Sequence, residues 1–159
     1  MKEELETRDL TTDVRGIQVL CAALMAGMLS FAVVALMLAK VGRGQPGADL
    51  LVPAILTGFS MLSLVPTQFV ALMQSKQRPA GEVTIDSLVS AYRGSSLISW
   101  AGFEGAAFAN LVGYLLAGQW WSFIIPGLAL IYMAATFPTK DKLTNWLRQR
   151  HEQLEIEGL

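Results

Sequence analysis

Four uncharged or nearly uncharged apolar blocks run through this chain, separated by short polar segments. Ile17 to Ala39 carries no charged side chain, and neither does Leu50 to Met73. Leu97 to Gly118 carries one, Glu104, and Trp120 to Phe137 again carries none. A helix rises 1.5 Å per residue, so about 20 apolar residues cross the hydrocarbon of a bilayer. The pattern predicts an all-α polytopic membrane protein of a single domain. Its four transmembrane helices fall at about 17–39, 50–73, 97–118 and 120–137. Pro53 and Pro66 lie in the second span, where neighbouring helices or Ser and Thr hydroxyls satisfy the freed carbonyls. "GQWW" (118–121) makes a tight turn between the last two, with tryptophans suited to an interfacial belt.

The connections have patterns of their own. "KVGRGQPGAD" (40–49) is a Gly/Pro loop with no helix expected. In the 74–96 connection Thr84 is placed to cap a helix, and Ile85, Leu88, Val89 and Tyr92 fall at i, i+3, i+4 and i+7. A short amphipathic surface helix over about 84–94 is expected there. The tail repeats the logic over about 139–157. Pro138 ends the fourth span, and Leu143, Trp146, Leu147 and Leu154 share one helical face. An interfacial or partner-bound helix is expected.

Composition agrees with this reading. The chain is 53% hydrophobic and 16% charged, where a soluble domain carries about a quarter charged residues. The charges sit at the two ends and in two connections. Lys2, Arg8, Arg15, Lys76, Arg78 and Arg93, with four basic residues of the tail, fall on one side of the spans; Lys40 and Arg43 fall on the other. The positive-inside rule then puts both termini in the cytoplasm of a cell whose plasma (inner) membrane holds the protein. A cleaved signal peptide is not expected, because the first apolar run is too long and the tail before it is acidic. A net charge of −1 gives no drive toward nucleic acid. Cys21 and His151 are each the only residue of their type, so no metal-ligand spacing and no cofactor motif is found. "VGRGQPG" (41–47) has glycines but no strand before it, so it is not a phosphate loop.

A shift of 79 residues lays "AALMAGMLSFAVVALMLA" (22–39) over "AGFEGAAFANLVGYLLAG" (101–118), with small residues meeting small residues at several steps. The reading is two helical hairpins that form a parallel repeat. In that alignment Glu104 faces Met25, so the acid belongs to one half only.

The third span holds the candidate chemistry. Ala101, Gly105, Ala109 and Gly113 recur every four residues, a helix-packing ridge of the small-xxx-small kind. Glu104 stands one step round from that ridge, about 10 Å into the span. A charged acid deep in a span costs about 2.5–3.5 kcal/mol on insertion scales. Two conditions offset that cost: protonation, or a partner within the protein. Asn110, Gln68, Thr67 and Ser63 are the expected partners, with Gln18 and Ser30 further candidates; Arg93, eleven residues or about 16 Å back along the helix, is too far to snorkel to it.

"EGAAFANLVGYLLAG" (104–118) is similar to an "EGAAFFNLVAYLL" phrase in small bacterial four-span membrane proteins of unknown function, which implies a bacterial membrane protein. Four spans, paired hairpins, small-residue helices and one intramembrane Glu together resemble the duplicated proteolipid subunit of rotary ATPases. In that family the carboxylate and the Gly-rich ridge lie on different helices of a hairpin; here Glu104 and the ridge share one. The expected function is noncatalytic: a structural or accessory subunit of a membrane complex, with the bilayer, a second copy or a larger assembly as partner. The alternative is a proton- or cation-binding protein using Glu104. No catalytic residues are assigned, because no span offers a nucleophile set beside a base.

Overall fold

The structure, a computed structural model, describes residues 9–38, 50–76 and 83–156. The acidic amino-terminal tail, the Gly/Pro loop over 40–49 and the last three residues lie outside the described residues. Those described form five α-helices and no strand: α1 (Thr11–Leu38), α2 (Leu51–Lys76), α3 (Ile85–Ala117), α4 (Ile124–Ala135) and α5 (Lys140–Ile156). A 3-10 turn over Trp120–Phe123 leads into α4.

Helix α3 organises the molecule. Its first turn is closed by a reciprocal capping box, in which the Thr84 hydroxyl accepts from the Ser87 amide and the Ser87 hydroxyl accepts from the Thr84 amide. From there it runs unbroken for 33 residues, because it contains no proline and Gly94 does not interrupt it. A short surface helix and a separate span were expected; they are one rod about 50 Å long. Gly118 ends it in the left-handed region (φ 66°), its amide donating to Tyr114 O at 2.7 Å.

Helices α1, α2, α4 and α5 all pack on α3. Helices α1 and α2 have no more than marginal contact with each other, so they flank α3 instead of forming the expected first hairpin. The α3–α4 hairpin is present, joined through Gly118 and the 3-10 turn. Aromatic pairs mark the seams: Phe31 on Phe108 for α1, Phe103 stacked on Tyr132 for α4, and Tyr92 on Trp146 for α5.

Two helices, α1 and α2, are long and apolar enough to cross a membrane. A third crossing exists only if the α4 region and α5, bent 76° from each other, are taken as one. The expected four spans are therefore not reached. Helix α3 has the length, but Ser95, Ser96, Ser99, Glu104 and Asn110 dilute its apolar half. Helix α4 has 12 residues, about 18 Å, because the residues before it wind into the 3-10 turn and Pro138 stops it.

The amphipathic tail finds its partner within the chain. Leu143, Leu147 and Leu154 of α5 are buried against Leu10, Val14, Ile85, Leu88 and Val89, closing an apolar core at one end of the helices. Two cations of α5 also tie off helix ends. Arg150 donates to Lys76 O at 2.6 Å, and Lys142 Nζ donates to Ala135 O and Phe137 O at 2.7 and 3.1 Å. Each meets carbonyls left free at a helix C-terminus, where the helix dipole also favours positive charge.

Candidate functional site

Helix α2 carries its polar residues inward. Thr57, Ser60, Ser63, Thr67 and Gln68 are buried or half-buried, while Leu62, Val65 and Phe69 are 72%, 70% and 61% exposed. Ser63 and Thr67 donate to the carbonyls of Ser60 and Ser63, so their hydroxyls are satisfied on their own helix.

Two polar clusters join this stripe to α3. In the first, Asn110 is 1% exposed and fully engaged: it accepts from Thr57 Oγ1 at 2.6 Å and donates to Ser60 Oγ at 3.2 Å and Ala106 O at 2.8 Å. In the second, Ser99 Oγ donates to Gln68 Oε1 at 2.8 Å and lies 3.1 Å from the Tyr132 hydroxyl, linking α2, α3 and α4. Trp100 Nε1 donates to Thr136 Oγ1 at 3.2 Å on the same side. Small residues on α3 set how closely α2 approaches it. A Cβ at Gly102 would lie 2.5 Å from Thr67 Cγ2, and one at Gly113 3.4 Å from Pro53 Cα.

Glu104 is elsewhere on the helix. Successive residues turn by about 100°, so Glu104 points about 200° away from Gly102, toward α1. There its Oε1 lies 3.4 Å from the position of a Cβ on Gly27. The carboxyl is half-buried and makes no hydrogen bond or ion pair among the described residues. The structure therefore does not bring it together with Gln68, Thr67, Ser63 or Asn110, which all serve the α2 seam. Gln18 donates instead to Pro138 O at 2.9 Å.

No family model, curated protein or solved structure matches this chain. The site stands on its geometry alone.

The small-residue ridge divides between two environments. Gly113 is buried against α2, whereas Ala101 and Gly105 are exposed in the gap between α1 and α2, with nothing within 4 Å of a Cβ on Gly105. Thr57, Ser60, Ser99, Tyr132 and Thr136 are seam residues beyond those expected from the sequence. The signal for the first two was present: Thr57, Ser60, Ser63 and Thr67 recur at helical spacing within an otherwise apolar run.

A cleft of about 380 Å³ opens beside the second cluster, between α2, α3, α4 and the start of α5. Gln68, Ser96, Ser99 and Thr136 give it polar atoms, Trp100 and Trp146 aromatic walls, and Lys142 its positive charge. Among the described residues no three His, Cys, Asp or Glu side chains gather as a metal site.

Proposed function

We propose that this chain is an integral membrane protein with a noncatalytic role, a structural or accessory subunit of a bacterial inner-membrane complex with both termini in the cytoplasm. One observation carries the membrane reading. Helix α2 turns Thr, Ser and Gln inward and large apolar side chains outward, an arrangement that lipid tolerates and the reverse of what water selects. The accessory role is supported by the open face of α3. Ala101 and Gly105 lie exposed between α1 and α2, where another helix can approach the backbone closely. An alkaline carbonate wash of membranes tests the first point: the chain stays in the pellet and leaves it with detergent. Release by the wash alone refutes the reading. Gly105→Cys tests the second point. Disulfide capture of the same partner, a second copy or another protein, supports an assembly; monomer throughout opposes it.

A second reading has its own observation. Glu104 is half-buried and unpartnered among the described residues, with Gly27 leaving room beside its carboxyl. That arrangement suits a group that takes up a proton or small cation. Carbodiimide modification of Glu104 that sodium suppresses supports ion binding; labelling indifferent to sodium and pH supports the structural role.

A further inference from the structure

We propose that the cleft between α2, α3 and α4 binds an anionic membrane phospholipid, with the phosphate headgroup at Lys142 and the acyl chains leaving between α2 and α4. The proposal rests on the membrane reading above. Helices α2 and α4 both pack on α3 and have no more than marginal contact with each other, so the cleft is open on its side. Its polar end lies where α5 crosses the helix ends, the charged end of the molecule and the level at which headgroups sit.

Among the described residues, charge in the cleft has one sign: Lys142 lines it and no carboxylate does. Lys76 and Arg93 directly follow the lining residues Ser75 and Tyr92. Lys142 Nζ uses two donors on Ala135 O and Phe137 O, which holds the ammonium at the cleft and leaves a third N–H for a phosphate oxygen. Ser96, hydrogen-bonded to Tyr92, adds a hydroxyl to the same lining, and Trp146 gives the amphipathic ring found at headgroup level.

The walls change character along the helices. Two helical turns back from Leu72 on α2 lies Val65, and two turns back from Ala135 on α4 lies Leu128. Both are exposed, at 70% and 54%. A polar, cationic end that continues into two parallel apolar walls matches an amphiphile better than a free anion.

Native mass spectrometry of the full chain, delipidated in mild detergent, tests this with three probes: dioleoyl phosphatidylglycerol, dioleoyl phosphatidylcholine and glycerol phosphate. One phosphatidylglycerol per chain is expected, held about tenfold more tightly than phosphatidylcholine: either phosphate can accept the Lys142 bond, but the choline of phosphatidylcholine adds a second positive charge beside Lys142, a repulsion on the order of 1 kcal/mol. Lys142→Gln abolishes that preference and Lys142→Arg keeps it. Ser96→Leu fills the polar end and weakens both lipids while circular dichroism stays helical. Equal binding of the two lipids overturns the proposal, as does wild-type phosphatidylglycerol binding by either Lys142→Gln or Ser96→Leu. Glycerol phosphate that displaces the lipid at equal concentration points to a soluble phosphate and overturns it too. A chain that survives the carbonate wash but shows no lipid preference defeats this proposal alone. A chain released by the wash defeats the membrane reading as well.

Discussion

The two ends of α3 are solved by opposite rules. At its amino-terminal end, Ile85, Leu88 and Val89 meet Leu143, Leu147 and Leu154, and the charges of α5 face outward except for the buried Arg150, which is held on Lys76 O: a core of the kind water builds. Further along, the same helix meets α2 through Asn110, Ser99, Gly102 and Gly113, with the leucines, valines and phenylalanines of α2 on the outside. There is no hydrophobic drive between helices in lipid, so contact depends on close backbone approach and hydrogen bonds. If the chain is a membrane protein as proposed, this one helix passes from a water-like environment into a lipid-like one, and each half carries the side chains that solvent requires.

That comparison predicts unequal responses to mutation. The largest falls in the water-like core. Leu147→Ala, at 0% exposure, costs about 2–5 kcal/mol in denaturant unfolding of the detergent-solubilised protein. Leu62→Ala, at 72% exposure, costs almost nothing in the same measurement. Equal losses would erase the distinction between the two ends.

Gly102→Ala comes next, at about 1–3 kcal/mol, because its new methyl group meets Thr67 Cγ2. Thr67→Ser removes that methyl, and the double variant recovers most of the loss, as a double-mutant cycle will show. Asn110→Leu is smaller. Ser60 already donates to Leu56 O and only loses a donor across the seam, while Thr57 can turn its hydroxyl to a carbonyl of its own helix, so about 1 kcal/mol is expected in thermal unfolding.

The smallest effect is at the start of α1. Asp9 accepts bonds from the hydroxyl and the amide of Thr11, which hold its carboxyl below the usual carboxylate range. The sign follows from a lowered folded-state pKa: the stabilisation is present above the unfolded value, about 3.9, and is lost as pH falls through the folded one. Asp9→Asn therefore makes the acid limb of a pH–stability curve slightly shallower and leaves pH 7 to 8 unchanged in shape.

The helices themselves were legible from apolar runs and from the Thr84 cap. Their continuity was not. Gly94 looks like a break, yet it is a contact point, since a Cβ there would lie 2.6 Å from Gln74 Nε2. The number of crossings was over-read because apolar length was counted without the serines of α3 or the 3-10 turn before α4. The polar partners of Glu104 were chosen by residue type, and the helical turn of about 200° between Gly102 and Glu104 places them on the wrong side. The apolar stripe on α5 was visible, but which surface it covers is a property of the fold: Leu10, just before α1, and Val14 on α1 complete that surface from the far end of the sequence.

The central claim is that α2 turns its polar stripe to protein and its apolar side to lipid. Nitroxide labels on single cysteines test it directly, in a Cys21→Ala background reconstituted in bilayers. A label at Leu62 is predicted to collide with dissolved oxygen and not with a water-soluble nickel chelate, while a label at Ser60 collides with neither. Free collision of the nickel chelate with the Leu62 label would contradict the account.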